Sequence, residues 1–315
     1  MKGRVVALSG GVGGAKLVDG LARVLPPDAL TVIINTGDDF RHLGLWISPD
    51  IDSVVYALAN LSDPERGWGR REESWKFMEA IRGLGGPDWF QLGDLDLAMH
   101  VKRTQQLGEG HSLSQVTADI ARALSIRSRL LPMSDDPVAT QVQTAQGWLN
   151  FQDYFVRQRC QPVIRDIRFE GAAAARPQPA ALEALTDPDL RLVVICPSNP
   201  FLSVEPILAL PAIRSNLMRC AAPVVAVTPI IGGQAVKGPT AKIMQELGLD
   251  ITGDAVARRY AGLIDVFIVD ETDPDPAPMQ GVRFVKAQTL MKRTQDREEL
   301  ARAVLGVVAD AAQAG

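Results

Sequence analysis

The sequence predicts an α/β protein: a Rossmann-like, doubly wound, mostly parallel sheet with a large, mainly helical insertion. Short continuous apolar runs recur at 5–8, 31–35, 190–196, 223–229, 264–270 and 282–286. Helix-periodic segments separate several of them, at 15–25, 202–218, 239–247 and 255–261, and another follows the last run at 297–312. The first run passes directly into a glycine-rich loop and then a helix. Strands buried on both faces read as unbroken apolar stretches, and their alternation with helices marks a parallel sheet.

The first strand and its loop read Val-Val-Ala-Leu-Ser-Gly-Gly-Val-Gly-Gly-Ala-Lys over residues 5–16. Glycine lets backbone N–H groups approach an anion closely, and a helix N-terminus adds partial positive charge. Gly10, Gly11, Gly13, Gly14 and Lys16 are therefore assigned to a phosphate-bearing ligand. The spacing excludes two common forms of such a loop. A P-loop needs Gly-Lys followed by Ser or Thr, and here Lys16 follows Ala15 and precedes Leu17. A dinucleotide fingerprint starting at Gly11 needs its third glycine where Lys16 stands, which weakens an NAD-type oxidoreductase.

Several of the strands end in polar or glycine-rich turns, where an α/β sheet presents groups to a ligand. The second ends in Asn35-Thr36-Gly37-Asp38-Asp39, and adjacent carboxylates beside a phosphate loop point to Mg²⁺ or to a solvated turn. Ser48-Pro49-Asp50-Ile51-Asp52 opens a helix. Pro49 suits its first turn, and capping accounts for Asp50 more readily than for Asp52. Asp94, Asp96, His100, Arg103 and Thr104 lie close together, with Asp96 and His100 on one helix face. Ser134 and Asp135 follow a further strand-like stretch, and Phe151–Val156 is an aromatic group that packs in a core or against a flat ring. Ser198, Asn199 and Ser203 follow the run at 190–196, while Gly232, Gly233 and Lys237 follow the run at 223–229.

Residues 61–170 lack the strand–helix alternation and are expected to form an insertion covering the site, with residues 1–60 and 171–315 forming the nucleotide-binding core. The chain has 315 residues and is 46% hydrophobic, enough for a sizeable core. A net charge of −4 gives no basic balance to favour nucleic acid or an anionic membrane surface. No apolar run approaches the ~18 residues of a membrane span, and the N-terminus lacks a signal-peptide layout. Cys160, Cys196 and Cys220 have no paired spacing, as expected of packed thiols in a reducing cytoplasm.

Taken in order, these motifs resemble the 2-phospho-L-lactate transferase family: Ser-Gly-Gly-Val-Gly-Gly-Ala-Lys, Asn-Thr-Gly-Asp-Asp, Ser-Pro-Asp-Ile-Asp, Leu-Gly-Asp-Leu-Asp-Leu-Ala-Met-His, Met-Ser-Asp-Asp-Pro-Val-Ala-Thr, Phe-Gln-Asp-Tyr-Phe-Val, Cys-Pro-Ser-Asn-Pro and Pro-Ile-Ile-Gly-Gly-Gln-Ala-Val-Lys-Gly-Pro. The resemblance implies an enzyme of deazaflavin coenzyme biosynthesis. Its substrates would be a guanosine-diphosphate-linked phospho-acid donor and the ribityl hydroxyl of 7,8-didemethyl-8-hydroxy-5-deazariboflavin. It also implies Mg²⁺, GMP as the second product and a homodimer. The acid stays open among 2-phospholactate, phosphoenolpyruvate and phosphoglycerate.

On this view Asp38, Asp39 and Asp52 are catalytic, and Asp38, Asp39 and Asp50 are metal ligands. Gly10 to Gly14, Lys16, Ser198, Asn199, Ser203, Gly232, Gly233 and Lys237 bind the nucleotide. Asn35, Thr36, Asp50, Asp52, Asp94, Asp96, His100, Arg103, Thr104, Ser134 and Asp135 bind substrate. The rival is a nucleotide-sugar-binding regulator of the related gluconeogenesis-factor family. That family carries Gly- and Ser-rich residues after the paired aspartates, where this chain has Phe40-Arg41-His42-Leu43-Gly44-Leu45.

Overall fold

The computed structural model describes residues 3–235 and 238–311. Seven parallel strands form the central sheet: β1 (Arg4–Ser9), β2 (Leu30–Ile34), β3 (Arg129–Pro132), β4 (Leu190–Ile195), β5 (Val224–Val227), β6 (Val266–Asp270) and β7 (Arg283–Ala287). Their spatial order is 7-6-5-4-1-2-3. The chain leaves β1 toward one side and β4 toward the other, so a crevice opens beyond the carboxyl ends of these two neighbours.

The alternation of side chains along each strand divides the core. Val6, Leu8, Ile33, Val193, Ile195, Ala226 and Phe267 join one apolar layer, and Val5, Ala7, Val32, Ile34, Val194, Val225 and Ile268 join the other. The second layer is covered by α1 (Gly11–Val24), α2 (Pro49–Leu58), the helix Leu113–Ala123 and the terminal helix Thr294–Ala311. Helices at Pro179–Leu185, Pro211–Met218, Thr240–Glu246 and Gly253–Arg259 cover the first. The six expected runs are all strands of this sheet.

Two local outcomes differ from expectation. The stretch Arg129–Pro132, placed within the insertion, pairs with β2 and forms one edge of the central sheet. A proline is tolerated there because one side of an edge strand needs no donor. The helix expected over 202–218 is broken into a π-helical turn, Pro200–Val204, a short turn, Glu205–Leu208, and the helix Pro211–Met218. Pro206 and Pro211 each lack the amide that a continuous helix would use, and each sits in a first turn, where none is needed.

Between β2 and β3 lie the hairpin strands Phe40–His42 and Leu45–Ile47, then α2, α3 (Lys76–Gly83), α4 (Asp94–Gly108) and α5 (Leu113–Ala123). Between β3 and β4 the strands Ala139–Thr144, Gly147–Asn150 and Asp166–Glu170 make a small antiparallel sheet.

Candidate active site

One cavity of about 610 Å³ opens at the crevice, within the range of small-molecule sites. Gly10, Gly11, Gly13 and Lys16 border it from the β1–α1 junction, and Ser198, Asn199 and Ser203 border it from the segment after β4. Thr228, Thr240, Thr289 and Met291 reach it from beyond β5 and β7. Asp38, Asp50, Asp52, Tyr56, Asp96 and His100 line another part, and Trp68, Trp89, Phe90, Phe151, Phe155 and Val156 form an aromatic flank. Both π-helical turns among the described residues, Asp153–Arg157 and Pro200–Val204, contribute to its wall. Such turns are frequent at functional sites because they re-aim side chains.

The glycine loop is built as much for packing as for a ligand. A Cβ on Gly13 would stand 2.4 Å from the Pro197 carbonyl oxygen, and one on Gly14 would stand 2.4 Å from Ser198 Oγ. Gly10 would likewise meet Asp50 Oδ2 at 2.4 Å. These glycines let the β1 and β4 loops touch. Gly11 is different: its φ of 62° is left-handed, and its amide donates to Asp50 Oδ1 at 2.5 Å. The amide at the head of α1 thus already holds an anion, a carboxylate.

Asn35, buried beneath the cavity, connects the carboxylates. Its Nδ2 donates to Asp50 Oδ2 at 2.9 Å and to Asp38 Oδ1 at 3.3 Å. Burial pushes the Asp38 carboxyl well above the usual range, and the charges of Asp50 and Asp39 add to that. Burial also raises Asp50 to about 6, against the opposing bonds from Asn35 and Gly11. Asp38 and Asp50 are therefore two adjacent buried carboxylates held by the amides of Gly11, Asn35 and Gln152. Among the described residues no three His, Cys, Asp or Glu side chains group to hold a metal by themselves. A pair of carboxylates fits Mg²⁺, which usually completes its shell with water and substrate phosphate.

Asp39, expected to be catalytic and a metal ligand, does not line the cavity. Its Oδ2 accepts from Ser48 Oγ at 2.7 Å and from Trp46 Nε1 at 3.2 Å. Asp52 does face the cavity, but its carboxylate is gripped by Arg103. Burial raises it, and the Arg103 charge opposes that rise. Asp96 sits below its usual range despite burial, because His100 and the Tyr56 hydroxyl favour its charged form.

Several other residues expected to contact ligand have partners within the fold. Thr36 is buried in the turn after β2, and Thr104 Oγ1 accepts from the Trp46 amide at 2.7 Å. Asp94 accepts from Ser74 Oγ at 2.5 Å and from the Phe77 amide at 3.1 Å, outside the cavity. Ser134 Oγ donates to the Arg176 carbonyl, and Asp135 holds the Ser114 amide and hydroxyl at the start of α5. Gly232 and Gly233 are the two exposed, left-handed residues of a tight hairpin between Ile231 and Gln234, and they do not line the cavity although Pro229 and Gly238 on either side do. Lys237 lies outside the described residues.

Sequence reasoning missed Trp68, Trp89, Phe90, Thr289 and Met291. Trp68 lies between Gly67 and Gly69, an aromatic in a loop with nothing apolar nearby in sequence to pack it. Thr289 and Met291 follow β7, where applying the carboxyl-end rule to every strand finds them.

The family described as 2-phospho-L-lactate transferase CofD matches the chain over residues 5–312. A 2-phospho-L-lactate transferase from Methanosarcina acetivorans is 39% identical over 306 residues, covering 96% of this chain and 98% of the relative. A phosphoenolpyruvate transferase from Kitasatospora aureofaciens is 41% identical over 314 residues, covering 96% and 97%. The crystal structure of a upf0052 family member from Bacillus halodurans matches with a TM-score of 0.64 at 16% identity, covering 97% of this chain and 99% of that one. That likeness shows the shared α/β fold. With matches that run nearly end to end, the chain belongs to the 2-phospho-L-lactate transferase family of transferases.

Proposed function

We propose that the protein transfers a phospho-acid group from a guanosine-diphosphate-linked donor to the ribityl hydroxyl of 7,8-didemethyl-8-hydroxy-5-deazariboflavin, releasing GMP. One observation carries this reading. A single cavity joins the glycine loop and the strand ends to an aromatic flank, with Asp38 and Asp50 also in its lining. A nucleotide donor and a flat acceptor can then meet at the carboxylates. The names of the relatives support two of the acids left open by the sequence, phospholactate and phosphoenolpyruvate.

In this reaction the hydroxyl oxygen forms a bond to the phosphorus bearing the acid. The diphosphate P–O bond breaks, GMP leaves, and the hydroxyl proton passes to a carboxylate or water. Such transfers depend on alignment and charge neutralisation more than on covalent catalysis. Asp38 and Asp50 would hold Mg²⁺, which when bound offsets the charge of the diphosphate. Lys16, which also donates to the Met291 carbonyl at 2.8 Å, and the loop glycines border the space for the donor's phosphates. Ser198, Asn199 and Ser203 orient the nucleotide part. Phe151 and Phe155, whose rings stack at 5.2 Å, flank the ring system of the acceptor.

The test is an assay with purified protein, Mg²⁺, the deazaflavin and each of three guanylylated acids, read by mass spectrometry. The expected product is the acceptor carrying one acid, with GMP in equal amount and no product when a chelator removes Mg²⁺. A folded protein that yields no product with any donor, and whose melting temperature responds to a UDP-sugar, would replace this reading with the regulatory one.

A further inference from the structure

Arg103 is the largest fully buried side chain among the described residues, and it does not line the cavity. A buried guanidinium is costly unless paired, so its partners carry information. Its Nη2 and Nη1 grip both oxygens of Asp52, Nη1 at 3.3 Å from Oδ2. Nη1 also lies 3.4 Å from the Trp46 carbonyl oxygen and 3.3 Å from His100 Nδ1. A guanidinium only donates, so where Nη1 gives a hydrogen to His100, Nδ1 is the accepting nitrogen of the ring. Asp52 Oδ2 is 3.7 Å from the same nitrogen, beyond hydrogen-bond range. That tautomer carries its proton on Nε2, which lies 3.1 Å from Asp96 Oδ2 without making a hydrogen bond to it. The other oxygen of Asp96 accepts the Tyr56 hydroxyl.

One buried side chain thus fixes Asp52, and the Tyr56 hydroxyl holds Asp96 separately. Asp52, Asp96, His100 and Tyr56 all line the cavity. Carboxylates held this way accept hydrogen bonds and repel anions, so this part of the wall suits hydroxyl groups and not the donor's phosphates. We propose that Arg103 is a positioning residue that holds Asp52 as a fixed acceptor for the hydroxyls of a polyol chain. On the function proposed above, on which this inference rests, that chain is the ribityl chain of the acceptor.

The experiment compares two fluorescent ligands, the deazaflavin acceptor and the same ring system without its ribityl chain, on the wild type and on Arg103→Lys. Lysine keeps the charge and loses the planar fork. The chain-bearing ligand is expected to bind about tenfold more weakly or worse to the variant, the loss typical of a misplaced charged hydrogen bond. The chainless ring is expected to bind both proteins alike. Equal weakening of both ligands, which a merely structural role would give, overturns the inference, as does no weakening of either. If Arg103→Lys does not fold, Arg103→Gln, which leaves Asp52 in place, carries the same comparison.

A second measurement needs no ligand. Imidazole nitrogen NMR of the free protein is expected to place the His100 proton on Nε2, and a proton on Nδ1 overturns the arrangement. A wild type that binds neither ligand counts against the deazaflavin reading, and the imidazole spectrum then decides on Arg103 separately.

Discussion

Asp38, Asp39, Asp50 and Asp52 are one residue type in one short stretch, yet each has different surroundings. Asp50 touches the Gly11 amide and shares Asn35 with Asp38, at the point where the phosphates of the donor are proposed to sit. Asp50→Asn is expected to lower turnover at least about 100-fold, the scale for removing one preorganised charge contact. Asp135→Asn, which alters only the contact with Ser114 at the head of α5, is expected to leave the same steady-state assay unchanged. Loss of activity in both proteins would mean that the geometry does not separate ligand groups from caps. Asp39 gives a pH prediction. Burial raises it to about 8, so between the ordinary carboxylate range and pH 8 the folded state keeps a proton that the unfolded chain has lost. Stability is then fully present at low pH and declines as pH rises through that window, by at most about 1.4 kcal/mol per pH unit for one proton. Melting temperatures from pH 5 to 8 are expected to fall less steeply for Asp39→Asn than for the wild type. Parallel curves would show that Asp39 is ionised in the fold. The acidic cluster was legible in the sequence because Gly and Asp follow a strand. The division among its members was not, since Trp46, Ser48 and Arg103 decide it from other segments.

At the scale of elements, the glycine pattern was legible as a strand–loop–helix junction, but half of its reason was not. A sequence shows that glycine is present without showing what would collide with a side chain. Gly14 has Ser198 Oγ and Ser9 Oγ at 2.4 and 2.6 Å from its missing Cβ, and both belong to strand ends that pack against α1. Gly14→Ala is expected to destabilise the protein by about 1–3 kcal/mol, the usual range for overpacking, measured by denaturant unfolding. Gly306 makes the contrast, because it lies inside the terminal helix with open space around its Cβ position. Gly306→Ala is expected to stabilise by about 0.5–1 kcal/mol through helix propensity alone. Equal and opposite signs from the two substitutions would contradict only a view in which all the glycines act through flexibility. A stabilising Gly14→Ala would show that the two loops are not in contact. The six long apolar strands were legible from their composition, whereas β3 was not recognised as a core strand. It has four residues, begins in Arg129 and ends in Pro132, and only its pairing with β2 reveals its place.

Across the whole molecule, apolar burial is unequal. Two extensive layers cover the faces of the central sheet, while a third cluster stands apart with Ile47, Met78 and Leu92 as its buried members. Phe40, Phe77 and Phe90 pack against it, and Phe90 also lines the cavity beside Trp89. The part of the wall that would meet the acceptor is therefore supported by the smallest core. Small cores open at lower free-energy cost than the global unfolding of a sheet, and binding regions are commonly drawn from such parts. Hydrogen exchange followed by mass spectrometry is expected to show the amides of α3, where only Met78 is buried, exchanging well before those of β1 and β4. Adding the deazaflavin acceptor is expected to slow exchange in α3 and in the Trp89–Phe90 segment, and to leave the rates of the central strands unchanged. Guanosine nucleotide with Mg²⁺ is expected to protect the β1–α1 junction and the segment after β4 instead. If α3 and the central strands exchange together, the molecule opens as one unit and the third cluster has no separate stability. If α3 opens early but ignores the acceptor, the aromatic flank is not where the flat ring binds. Each ligand alone should therefore quiet a different part of the rim, and the pair together should quiet both, as expected for a transferase whose donor and acceptor share one cavity.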